Sequence, residues 1–281
     1  MKFTVAAATA LALAMAATTA SAGVVISQEM VNQTGAQKTD QTVMVQGHKQ
    51  KVITGDDEEI ITDLDAGAIY VIIPKTKQFF QGKFPPTGPF AMKIIWGGST
   101  VELKKSGGTD KVAGYACNDY TGSASFARHV LTVTKCVASD APGAKEYVEF
   151  QKAMAAKLKG TRLMATGEIP DGIPVSSSLT TAQAPWTPPP RLPPEHVKKL
   201  QEAMAKYKPV TVNTTVSKIE VKDLPAETFA VPAGYTKGEV QTVVPHLKQM
   251  PGMPPPSPGI APGSPAAPAA AKAPAAAPAP R

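Results

Sequence analysis

The side chains in this chain that could do chemistry are scattered rather than gathered into a motif. Its four histidines, His48, His129, His196 and His246, stand far apart. None has an H-E-x-x-H neighbour pattern, and no G-x-S-x-G elbow occurs. The run Ser176-Ser177-Ser178 reads as the polar face of a strand, not as a nucleophile. Four adjacent acids, Asp56 to Glu59, lack the alternate ligand spacing and turn glycine of a calcium loop, so they read as an acidic turn. His246, Met250 and Met253 offer soft ligands of the kind copper takes. They sit among prolines, however, and read more simply as linker residues. No catalytic residue, metal site or cofactor is therefore assigned.

Two cysteines remain, Cys117 and Cys136. A redox or metal-binding pair would need C-x-x-C spacing or clustered histidines, which this pair lacks. The intervening C-N-D-Y-T-G-S-A-S-F-A-R-H-V-L-T-V-T-K-C reads as two strands around a turn near Ser123 to Arg128. If Gly122 pairs with Leu131, the same register sets Cys117 opposite Cys136, and a disulfide is expected. Closing a loop of this size stabilises a fold by about 3 kcal/mol in the chain-entropy model.

Oxidation is plausible because the chain begins like an exported one. Lys2 precedes an alanine- and leucine-rich stretch that ends at Ala20-Ser21-Ala22, the layout of a cleaved secretory signal over residues 1–22, with cleavage between Ala22 and Gly23. The stretch is too short and alanine-rich for a membrane span. Gly23 also stands where a bacterial lipoprotein would carry its acylated cysteine. A periplasmic or secreted protein that is neither lipid-anchored nor membrane-spanning is expected. The net charge of +7 and pI near 9.3 raise the question of nucleic acid. The lysines are dispersed, though, aromatic residues make up only 6%, and export separates the chain from cytoplasmic nucleic acid. Weak attraction to anionic headgroups or cell-wall polymers fits the charge better.

The elements that must carry these residues are mostly strands. Gly23 to Asn32, Gln41 to Gln46, Lys49 to Thr54, Glu58 to Asp63, Ala68 to Ile73 and Lys77 to Phe80 are short runs closed by glycine, proline or aspartate, as in an antiparallel meander. Ala68 to Ile73 is apolar throughout, which predicts cover on both faces. Phe90 to Trp96 and Ser99 to Lys104 read as further strands around Gly97-Gly98. Tyr147, Phe150, Met154 and Leu158 recur at helical spacing within Ala144 to Leu158, up to the stop at Gly160. Gly172 to Thr181 reads as an edge strand because Pro174 cannot serve a central ladder. A proline-rich connector, Pro185 to Pro194, leads to a second helix at Glu195 to Tyr207, and Val210 to Val221 alternates like a long strand. Residues 23–237 form one domain. Residues 238–281, rich in proline and alanine, cannot bury a core and are expected to be disordered.

The segments V-Q-G-H-K-Q-K-V, I-T-D-L-D-A-G-A-I-Y-V-I-I-P-K-T-K, V-A-G-Y-A-C-N-D-Y, P-G-A-K-E-Y-V-E-F and L-P-A-E-T-F-A-V-P-A-G-Y-T-K occur in this order over nearly all of Gly23 to Lys237. Together they resemble an exported bacterial family related in fold to the periplasmic lipoprotein carriers (LolA/LolB-like). The resemblance implies an α+β fold that is mainly β: a curved antiparallel half-barrel covered by two amphipathic helices, with an apolar cavity that in the carriers holds acyl chains. None of the carriers' functional residues matches here position by position.

Three readings of function follow. The first is an exported carrier or sensor of an apolar, acyl- or lipid-like ligand, with Tyr70, Ile72, Phe80, Trp96, Phe150, Met154, Leu200 and Met204 as candidate lining; the same residues would serve an ordinary core. The second is a non-catalytic envelope module with a self-filled core, whose tail, bearing Lys272 and Arg281, reaches an envelope protein or cell-wall polymer. An enzyme is the least supported.

Overall fold

Alternating apolar and polar residues, broken every six to ten positions by turn formers, give strands long enough to pair in sequence. The computed structural model describes residues 22–34, 37–87, 91, 101–126, 129–161, 169–184, 194–205 and 208–239. Its strands are β1 Gly23–Asn32, β2 Gln37–Gln46, β3 Lys49–Thr54, β4 Glu58–Asp63, β5 Ala68–Ile73, β6 Gln78–Lys83, β7 Lys104–Val112, β8 Tyr115–Phe126, β9 His129–Ala138, β10 Ile173–Gln183, β11 Val210–Lys222 and β12 Thr236–Lys237. Among the described residues two α-helices join them, α1 Ala144–Leu158 and α2 Pro194–Ala205. Residues 1–21 of the expected signal, all of the Phe90 to Trp96 strand except Ala91, most of the proline-rich connector and the tail from residue 240 lie outside the described residues.

All twelve strands belong to one sheet, ordered β12-β6-β5-β4-β3-β2-β1-β11-β10-β9-β8-β7. Pairing is antiparallel except at the short β12, which runs parallel to β6. The first six strands form the meander read from the sequence, and β11 returns to lie beside β1, joining it to the β7–β10 half.

Register divides the side chains between two faces. On the front, Ile26 pairs with Val43, Val43 with Val52, Val52 with Ile60, Ile60 with Val71 and Val71 with Phe80. This makes one apolar row across six strands. On the back, Val25, Ile61 and Ile72 are buried beneath Leu224 and Phe229, with Met44, Tyr70, Phe79, Val231 and Tyr235 packed around them. The chain after β11 thus covers the back of the meander, which is why β5 is apolar on both sides.

The architecture corrects the expectation of a half-barrel covered by two amphipathic helices. The chain forms a large open sheet, and only α1 packs extensively on it, against β1, β2 and β10. Among the described residues α2 has no comparable seat on a strand. It is short, and Glu195, His196, Lys198, Lys199, Gln201 and Glu202 along it are exposed. The irregular segment on the back does the covering that a second helix was expected to do.

Three smaller readings also change. β10 is central, between β9 and β11, because a register shift between Pro174 and Ser176 absorbs the missing N–H. β7 begins where the Ser99 to Lys104 strand was expected to end. It forms the free edge, where its lysines discourage pairing with another chain. The disulfide between Cys117 and Cys136 is present, with Cα atoms 5.3 Å apart. Gly122, however, pairs with Val133, and Asp119 is the residue opposite Cys136. The two cysteines are therefore diagonal neighbours rather than directly opposed.

Helix α1 is seated by its first turn. Gly143 precedes it with φ +75, and a Cβ there would come within 2.7 Å of Val24, so only glycine lets the chain cross this close to β1. The buried carboxylate of Glu146 accepts a hydrogen bond from the backbone N–H of Gly47 in the β2–β3 turn. Replacing Glu146 with alanine leaves that turn N–H without its acceptor and should lower unfolding free energy by about 1–3 kcal/mol. Urea titration would show it, with Glu146→Gln, which keeps an acceptor, recovering part of the loss. Equal midpoints for all three proteins would mean that the contact does not tie the helix to the turn.

Candidate functional site

Since α1 covers the end of the front face at Val24 and Val45, the rows beyond it are free to line a cavity of about 760 Å³. Its walls come from eight adjacent strands, β5 through β1 and then β11 to β9, which requires the front face to be concave. The volume lies within the roughly 300–1,000 Å³ common for small-ligand sites.

Ile26, Val43, Val52 and Ile60 form an apolar floor, continued by Leu179 and Val212 on the β10–β11 side. The next row along the same strands is polar. Gln28 donates to Gln41, and Gln41 donates to the Thr54 hydroxyl at 3.0 Å, so the amides satisfy one another across β1, β2 and β3. Glu58 and Asp57 follow at the β3–β4 turn, and Asp57 pairs with Lys75 just after β5. That pairing raises the Lys75 ammonium above its ordinary range. Thus the floor is apolar and one rim is hydrogen-bonding and charged.

The other wall carries two polar groups at depth. Tyr147 reaches the cavity from α1, and burial pushes its hydroxyl up to about 12. Lys135 projects from β9, between cross-strand neighbours Tyr120 and Ser177. Lys135 is half-buried and borders the cavity, and desolvation lowers its pKa from the ordinary lysine value. No hydrogen bond or ion pair from the described residues reaches this ammonium. A second cavity of about 420 Å³, lined by Ser106, Asp119, Ser176 and Ser178 among others, also borders Lys135. Among the described residues there is no group of three or more His, Cys, Asp or Glu placed to hold a metal ion, and no helix is long and apolar enough to cross a membrane.

The residues expected to line a cavity are dispersed. Tyr70 and Ile72 face the back, under Leu224 and Phe229. Phe80 is fully buried on the front with Ile69, Val71 and Ile73. Phe150 is enclosed in the core between α1 and the sheet, with Met154 packed against it. None of these five borders the 760 Å³ cavity. Trp96 and the side chains of Leu200 and Met204 lie outside the described residues. The sequence did carry a signal for Lys135: in H-V-L-T-V-T-K-C it falls at the inward position of the alternation set by Leu131 and Val133, which are buried. A lysine in an apolar register is the anomaly that points to the site.

No family model matches the chain, and no curated protein matches it. Among solved structures it is similar to one titled "Structure of PNGF-II in C2 space group", at 8% identity and a TM-score of 0.38. That match covers 81% of this chain and 33% of the other, so the chain spans about a third of the length of that protein.

Proposed function

We propose that this protein is an exported, non-catalytic carrier or sensor of an apolar, acyl- or lipid-like ligand in the cell envelope. The observation that carries this reading is the cavity floored by Ile26, Val43, Val52 and Ile60. Val43, Val52 and Ile60 are only half-buried, so apolar surface remains there for a ligand to cover. Each ligand methylene they take from water contributes about 0.8 kcal/mol. The intramolecular disulfide and the absence, among the described residues, of a helix able to cross a membrane are compatible with export.

The neutral fluorophore diphenylhexatriene provides a test, because it reports apolar binding without a charged group. Saturable fluorescence gain is expected with the native chain. Val52→Trp, which places an indole over the middle of the floor, should weaken it at least about tenfold with an unchanged unfolding midpoint. Equal binding by a folded Val52→Trp protein would remove the cavity from consideration.

A further inference from the structure

Lys135 is half-buried where the two cavities meet, and it makes no hydrogen bond or ion pair with the described residues. A cation partly withdrawn from water is stabilised by an anionic partner. A methionine at this position would continue the Leu131–Val133 register without the charge. The acids bordering the same cavities do not supply a partner. Asp57 is engaged with Lys75 at the opposite rim, Glu58 lies beside it, and Asp119, reached through the smaller cavity, belongs to the Cys136 register rather than that of Lys135. The ammonium therefore lacks an anion at one end of an apolar trough whose far end is polar and partly acidic.

We propose that the cavity's ligand is a single-chain fatty carboxylate, its headgroup held by Lys135 with Ser177 alongside and its chain lying over Ile26, Val43, Val52 and Ile60. This names the ligand class for the apolar-ligand reading above and rests on it. The arrangement accounts for both halves of the cavity. The floor takes the methylenes, and the carboxylate supplies the charge that Lys135 lacks. A charge-assisted hydrogen bond to Lys135, with the ligand's own chain excluding water beside it, discriminates between an anionic head and a neutral head on the same chain.

Displacement of bound diphenylhexatriene by palmitate and by hexadecanol, which share a chain and differ in headgroup, tests the assignment. The native protein should prefer palmitate by about ten- to a hundredfold. Lys135→Met should bring that preference close to unity, chiefly by weakening palmitate, and Lys135→Arg should restore much of it. Lys135→Gln serves as a second neutral variant, and thermal midpoints establish that each variant is folded. If the native protein and Lys135→Met displace both amphiphiles alike, the headgroup assignment is overturned and the apolar-ligand reading stands. If neither amphiphile nor the fluorophore binds the native protein, both fall.

Discussion

Replacing Phe150 with alanine should cost about 3–5 kcal/mol of stability, the range for an aromatic ring removed from a closed core. The ring is fully buried, in a cluster that joins α1 to β1, β2 and β10 through Val24, Val45, Ile173 and Val175. Its loss removes apolar burial and leaves a void that the sheet cannot collapse to fill, because β1 and β10 are each held by strands on both sides. For a domain with the usual stability of about 5–15 kcal/mol, such a loss reaches a third or more of the total over much of that range. Urea titration of Phe150→Ala should show a large fall in midpoint with little change in slope. A shift worth less than about 1 kcal/mol would mean that α1 is not seated on the sheet as described. Because the same helix brings Tyr147 to the cavity wall, the variant should also bind diphenylhexatriene less well.

Removing the disulfide should have the second largest effect. Cys117 and Cys136 are 19 positions apart and tie β8 to β9, and both are buried. Releasing that link returns loop entropy to the unfolded chain, about 3 kcal/mol. For a domain of this size the equivalent fall in thermal midpoint is about 6–12 °C. The double variant Cys117→Ala, Cys136→Ala should show it in calorimetry, and reduction of the native protein should match. A midpoint unchanged in both would show that strand pairing alone fixes this hairpin. The effect should spread to the cavity, since β9 carries Lys135 and pairs with β8 along nearly its whole length.

How much of this was legible in the sequence depended on whether each segment carried a period. The meander from Gly23 to Phe80 was readable because its strands alternate and end at Gly47, Gly55 and Gly67. β7 was not, because K-K-S-G-G-T-D-K-V has no apolar alternation and carries no apolar side chain until its last position; it is a strand because β8 offers it a partner. Pro174 argued for an edge, and the register shift beside it made a central strand possible. That Tyr70 and Ile72 sit on the back rather than at the cavity was hidden for a different reason. In β5 all six residues are apolar, so side-chain type says nothing about which parity faces which side. The cover on the back, L-P-A-E-T-F-A-V-P, is irregular and so has no period to detect, yet its Leu224 and Phe229 close that face. Lys135 is the opposite case, since its neighbours alternate clearly and the exception stands out.

The front and back of the meander give the central claim its most direct test. Methyl-labelled protein titrated with palmitate should show chemical-shift changes at Ile26, Val43, Val52 and Ile60, which border the cavity. Val25 and Ile61, one position from Ile26 and Ile60 but buried on the other side, and Ile72 of β5 beside them, should stay still. Shifts on the back face, or none on the front at saturating palmitate, would contradict a ligand site in this cavity.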